Sequence, residues 1–252
     1  MGYVQPTMQT PSVPPPPRLF RSFWIAGFES ASHINRFGAR LDMIGGTQHD
    51  VQADHDYALL RALGISAARD GVRWHLIERP GGFDFRSLAP MTAAARRHGV
   101  QIVWTLCHYG WPDDLDPFAP AFVERFARFC RALARFIRSE SDEVPFYTPI
   151  NELSFLSWAA GDQAIISPFG RGRGWELKKQ LVRAAIAGME AVWDGPARAW
   201  RTWTPLSTWS RRAAAPTWPR RRRASARASL RRGRCSAAAP IPTSAATPST
   251  LT

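Results

Sequence analysis

The sequence predicts an α/β fold, a parallel sheet covered by helices. Three observations predict it. Short apolar runs alternate with amphipathic stretches long enough for helices. Four such strand–helix units follow one another, with strands about 35–45 residues apart. The strand runs are nearly continuously apolar, as strands buried on both faces are. A doubly wound sheet and a barrel both satisfy these observations, and 252 residues suffice for one barrel or for one to two smaller domains.

The first strand is read from Phe23-Trp24-Ile25-Ala26-Gly27-Phe28. Residues 49–63 follow as a helix with Val51, Tyr57, Leu60 and Leu63 at helical spacing, stopped by Gly64. A weaker second strand is read from Ile65-Ser66-Ala67-Ala68-Arg69. Residues 85–98 form a helix with Leu88, Met91 and Ala95 on one face, closed by Gly99. The third strand, Val100 through Cys107, is the strongest of the four. Residues 120–138 give the clearest helix: Phe122, Phe126, Phe129, Leu133 and Phe136 make an apolar stripe opposite a line of arginines, and Pro120 suits the first turn. Residues 144–150 are the fourth strand. Residues 175–193 are the fourth helix, with Leu177, Leu181, Ala184, Ala185 and Met189 inward.

Charge divides the chain. All 20 acidic residues lie between Glu29 and Asp194. Beyond Asp194 there is no Asp, Glu or Lys but there are 12 Arg, so residues 1–194 balance 21 basic against 20 acidic groups, a net of +1. The basic character belongs to residues 195–252. That segment has no periodic apolar face, which a disordered tail explains, but it also holds Trp200, Trp203, Trp209 and Trp218, unusual in such a tail. A shifted reading frame in a GC-rich gene explains its Arg, Ala, Pro and Ser content, and is the preferred expectation. Residues 1–18, with four consecutive prolines from Pro14, read as a disordered leader. The expected organisation is therefore a leader over 1–18, a barrel part over 19–194 and a tail over 195–252.

Cys107, Cys130 and Cys235 make no disulfide framework, and the first two read as reduced core residues. No stretch reaches the roughly 18 apolar residues of a membrane helix, and no basic segment followed by an apolar run begins the chain, so a cytoplasmic location is the default expectation. Gly27-Phe28-Glu29-Ser30-Ala31 lacks the glycine spacing of a nucleotide loop. Asp113, Asp114 and Asp116 have no His or Cys companion and read as a solvated loop rather than a metal site. Neither a cofactor nor a metal is expected.

The sharpest chemical signal is Thr148-Pro149-Ile150-Asn151-Glu152, an amide and a carboxylate at the end of a buried strand. In a barrel of parallel strands, that end is where catalytic groups stand. A carboxyl among apolar neighbours can hold its proton near neutral pH and act as a general acid. Simple charge pairing at a strand end is the plain alternative.

Four segments in order resemble the first half of a clan-A, family-1-like glycoside hydrolase, the β-glucosidase and β-galactosidase group. They are Phe23-Trp24-Ile25-Ala26-Gly27; Arg69-Asp70-Gly71-Val72-Arg73-Trp74 with its glycine turn at Gly81-Gly82; Leu106-Cys107-His108-Tyr109-Gly110-Trp111-Pro112; and Thr148-Pro149-Ile150-Asn151-Glu152. The resemblance covers residues 20–194. It implies a (β/α)8 TIM barrel, incomplete at about four βα units, and a β-glycoside as substrate. It makes Glu152 the general acid/base and Asn151 the partner of the sugar 2-hydroxyl. It assigns His108 to a sugar hydroxyl and Arg69 to a place beneath the nucleophile. Trp111 and Trp158 become flat faces for sugar rings, with core packing as the equal alternative, and Glu29 an acceptor of sugar hydroxyls. The family's nucleophilic Glu belongs to the seventh strand, and nothing acidic follows Asp194. Glu29 and Asp70 do not match its motif. The chain as written is therefore expected to be inactive and poorly stable. Two rival readings stay open: a basic protein binding nucleic acid non-specifically through its arginine-rich tail, and a non-catalytic carbohydrate-binding or interaction protein on a barrel scaffold.

Overall fold

A computed structural model describes residues 19–194. Segments 1–18 and 195–252, and the expectations placed on them, lie outside the described residues, as does Cys235. In chain order the elements are β1 (Ala26–Gly27), α1 (Met43–Thr47), α2 (His49–Ala62), β2 (Ala67–Gly71), α3 (Trp74–Ile77), β3 (Glu78–Arg79), β4 (Gly82–Phe83), α4 (Ala89–His98), β5 (Gln101–Cys107), α5 (Ala121–Glu140), β6 (Phe146–Ile150), α6 (Leu153–Leu156), a π-helical turn (Ser157–Asp162) and α7 (Gly174–Trp193).

Four strands form one parallel sheet in the order β1-β2-β5-β6. That order separates the two architectures the sequence left open. A doubly wound sheet reverses direction and buries its first strand inside the sheet. Here each strand is added beside the last, as around a barrel, and β1 stays at the edge. The structure is an incomplete (β/α)8 barrel. β3 and β4 form a separate antiparallel hairpin that the sequence reading did not include.

The core lies between the sheet and its helices. β5 is central and buried from Ile102 onward. Phe122, Phe126, Phe129 and Leu133 bury the stripe of α5. Trp74, fully buried, stacks on Phe129 at 5.1 Å and meets Phe126 at 5.2 Å and Phe122 at 5.6 Å. α7 approaches α5 closely at Gly188, where a Cβ would lie 2.8 Å from the Phe126 ring. Among the described residues no helix is long and apolar enough to cross a membrane.

Three expectations are corrected. The first strand shortens to Ala26–Gly27, with Phe23 and Trp24 exposed. The described sheet offers it a neighbour on one side only, so its outer apolar residues have nothing to pack on. The second strand begins at Ala67 and runs to Gly71. α2 buries His49, Ala53 and Tyr57, while Val51 and Leu63 face solvent. The inward face of α2 is set by a polar cluster rather than by aliphatic residues. Asp70, fully buried on β2, lies 2.8 Å from His49 Nε2 and accepts from the Tyr57 hydroxyl at 2.6 Å. His49 Nδ1 lies 2.7 Å from Asp56, and Phe28 stacks on the imidazole at 3.9 Å.

Two outcomes follow from this packing. Trp74→Ala removes the centre of the aromatic cluster and should cost about 3–5 kcal/mol, read as a lower urea midpoint. For His49, burial lowers the imidazole pKa, but the hydrogen bonds and charges of Asp70 and Asp56 outweigh it and raise it. A raised folded value contributes stability that is complete below the unfolded value of about 6.5 and is lost as pH rises through the folded value. His49→Gln should therefore lose more stability near about pH 5.5 than near about pH 8.5; equal losses at both would mean that His49 is not charged in the fold.

Candidate active site

The C-terminal ends of β2, β5 and β6 bring the predicted residues together. Strand alternation turns Arg69 toward the mouth of the sheet and its neighbour Asp70 toward the helices. Asp70 is thereby removed from consideration as a site carboxylate. Arg69 Nε donates to Thr105 Oγ1 at 3.0 Å, and Arg69 Nη2 donates to Asn151 Oδ1. Among the described residues none of the ion pairs within 4.0 Å includes Arg69, so its guanidinium has no carboxylate partner there.

Asn151 directly follows β6. Its backbone N–H donates to Cys107 O at 2.9 Å, which seats it beside the end of β5. Its side-chain nitrogen donates to His108 Nε2 at 2.9 Å and to the Tyr109 hydroxyl at 2.8 Å. With its oxygen on Arg69, both amide hydrogens are engaged. Because His108 Nε2 accepts, the ring proton belongs on Nδ1. Nδ1 faces Ser30 Oγ at 3.0 Å and Glu29 Oε1 at 3.3 Å. Burial pushes the His108 pKa down to about 4; the Glu29 charge opposes that shift and Arg69 reinforces it. His108 is a neutral, oriented imidazole at neutral pH.

Glu152 is exposed at the strand tip, and its Oε2 accepts the Tyr109 hydroxyl at 2.6 Å. Burial, then the Glu152 carboxylate, push the Tyr109 phenol pKa up. Both residues have left-handed backbone, Glu152 at φ 40° and Tyr109 at φ 64°. Such a conformation costs a non-glycine residue roughly 1–2 kcal/mol. Glu29 joins the same group from the end of β1: its Oε1 accepts from the backbone N–H of Ser30 at 2.9 Å and of Ala31 at 2.8 Å. Glycine makes this approach possible. A Cβ on Gly71 would lie 2.0 Å from Ser30 Oγ, and one on Gly110 would lie 2.0 Å from Ser32 Oγ.

Glu29, Arg69, His108, Asn151 and Glu152 thus form one hydrogen-bonded group. Trp111 does not join it as an open platform. It is buried and stands edge-on to Phe122 at 5.7 Å, because the loop after β5 turns it back onto α5. Trp158, on the π-helical turn, is about half exposed and tilts against Phe155 at 5.9 Å. Tyr109, Ser30 and Thr105 were missed by the sequence reading. Tyr109 carries the clearest signal, a hydroxyl-bearing aromatic directly after His108. A cleft of about 670 Å³ opens beside Tyr109, bounded by Arg40, Phe118, Phe169 and Arg173. Of the three acids on its rim, Asp113 pairs with Arg40, Asp114 pairs with Arg125 at 2.8 Å, and Asp116 Oδ1 accepts the Phe118 N–H at 2.9 Å.

No protein-family model matches the sequence, and no curated protein matches it. Solved structures do. A family 1 β-glucosidase from Thermotoga maritima in complex with isofagomine lactam is 16% identical, with a TM-score of 0.54, covering 69% of this chain and 44% of that one. The virulence factor SghA of Agrobacterium tumefaciens, in complex with its substrate analog salicin, is 18% identical with a TM-score of 0.54, covering 67% and 41%. The chain spans less than half the length of either structure, and at these identities the likeness is one of fold alone, to part of the barrel of each.

The network makes a spectroscopic prediction. The His108 ring, followed by ¹⁵N-detected NMR, should keep its proton on Nδ1 from neutral pH downward and gain a second proton only near about pH 4. A midpoint at the ordinary value of about 6.5 would show that burial does not hold the ring neutral.

Proposed function

We propose that residues 19–194 are the acid/base-bearing part of a β-glycosidase barrel that works by the retaining, two-carboxylate mechanism, and that Glu152 is the acid/base. The observation carrying this reading is the Glu152 carboxylate at the tip of β6, held by the Tyr109 hydroxyl beside an Asn151 amide tied to both His108 and Arg69.

In that reaction a protonated Glu152 gives its proton to the glycosidic oxygen as the bond to the anomeric carbon breaks. A second carboxylate, about 5–5.5 Å away, forms the glycosyl-enzyme bond. Glu152 then takes a proton from water as water attacks the intermediate. The Tyr109 hydroxyl orients one Glu152 oxygen and leaves the other open to substrate. His108 and Asn151 offer the sugar hydroxyls a rigid, neutral edge, and Trp158 offers a partly open aromatic face. The unpaired guanidinium of Arg69 fits a position beneath an anionic nucleophile, whose charge it would hold.

The nucleophile itself is what this chain lacks. Asp70 faces the helices, and one Glu29 oxygen is committed to two backbone amides. No Asp or Glu follows Asp194. The chain as written is therefore inactive in this reading, and residues 195–252 are translated out of frame with the rest of the barrel.

The gene across codons 190–252 tests this. The expected result is a neighbouring frame that continues the barrel and supplies a glutamate on its seventh strand. A chain restored to that frame should hydrolyse an aryl β-glycoside, and Glu152→Gln should lower its kcat by roughly 10²–10⁴-fold. The chain as written should show no turnover. Turnover by it that Glu152→Gln abolishes would overturn the claim of inactivity, and a neighbouring frame without barrel sequence would overturn the frame reading.

A further inference from the structure

The four-stranded sheet ends on two open edges. Among the described residues β1 pairs only with β2, and β6 only with β5. Open strand edges present unpaired backbone groups and are templates for further pairing. Several of the large apolar side chains left in solvent lie on the elements at these two ends. Leading into β1, Phe23 is 90% and Trp24 is 72% exposed. α2, the long helix between β1 and β2, is tied to α4 through Asp54, which meets Arg97 and His98. At 3.6 residues per turn, Leu59 and Leu63 fall on the flank of α2 turned away from α4; Leu59 is half exposed and Leu63 is 75% exposed. At the other end, α7 meets α5 through Gly188. Trp175, Val182 and Ile186 fall off that contact, Trp175 being 71% exposed and Ile186 more than half exposed.

We propose that these two ends are the seams of a symmetric dimer, in which a second copy of the chain completes the barrel: β6 of each copy pairs in parallel with β1 of the other, and α7 of each packs against α2 of the other. The strand number fits, since four parallel strands are half of the eight that close such a barrel. The symmetry fits as well. A two-fold axis along the barrel makes both seams identical and keeps all eight strands parallel, leaving no open edge. The area is sufficient. Phe23, Trp24 and Trp175 can bury roughly 150–250 Å² each, so over two copies these three residues alone approach on the order of 1,000 Å², the size a specific interface needs. The inference rests on the fold and is independent of whether Glu152 ever acts on a sugar.

Sedimentation of the full-length protein, nuclease-treated and in high salt to suppress association through the arginine-rich segment, is the test. The expected species has about 56 kDa, twice the 28.2 kDa chain. Leu63→Glu on α2 and Ile186→Glu on α7 should each raise the dimer dissociation constant at least about ten-fold. Their far-UV circular dichroism should stay unchanged, since both positions are solvent-facing in one copy. Leu59→Lys and Val182→Lys probe the same two flanks should either first variant misfold. A monomeric wild-type chain overturns the proposal, and so does a dimer that folded variants on both helices leave intact.

Discussion

The side-chain amide of Asn151 joins three strand ends: its oxygen accepts from Arg69 on β2, and its nitrogen donates to His108 and Tyr109 beyond β5. The register β2–β5–β6 and the Asn151 backbone bond to Cys107 O place the amide where all three meet. Each link depends on the charge state of its neighbour. Arg69 can only donate, which fixes the amide oxygen toward it. His108 must be neutral to accept, and burial keeps it so. The Tyr109 hydroxyl can accept from Asn151 and still donate to Glu152 because its phenol stays protonated. A ligand hydroxyl that reaches for the amide must displace His108 or Tyr109 from it. The site is preorganised, and binding there exchanges one hydrogen bond for another instead of adding one.

Where burial follows from periodicity, the sequence made the fold legible. β5, α5 and α7 were readable because the apolar stripe of each, such as Leu106, Phe126 and Leu181, is buried inside the described sheet and helices. The extent of α2 was legible, but the length of β1 and the inward face of α2 were not, for a shared reason: Phe23, Trp24, Val51 and Leu63 carry the same apolar signal, yet they stand in solvent. Hydropathy records what a residue prefers, and an incomplete barrel leaves part of that preference unmet. In the site, charged and amide residues were legible as a set. Tyr109 was missed because its contribution is one hydroxyl, and Trp111 stayed open in the sequence because an aromatic at a strand end reads equally as platform or as core. The β3–β4 hairpin, two residues per strand, lies below what alternation can reveal.

The polar cluster behind β2 shows why the strand tips can be so exacting. Asp70 is fully buried one residue from Arg69, and His49, Tyr57 and the Gly71 N–H all reach it. Leaving a buried carboxylate unpaired costs several kcal/mol, so this cluster fixes the rotation of β2 and, through the strand's alternation, the direction of Arg69. Helix α2 is therefore a support for the opposite face of the strand it covers. The same logic places His108, since the serines that pack on Gly71 and Gly110 also lie against its ring and its backbone.

The left-handed backbone at Glu152 also bears on history. Glycine, or asparagine, would relieve that backbone, so a lineage kept only for stability gains by replacing the glutamate. Tyr109 stands under the same pressure. Both side chains are therefore held at a backbone cost that glycine in either place would not carry.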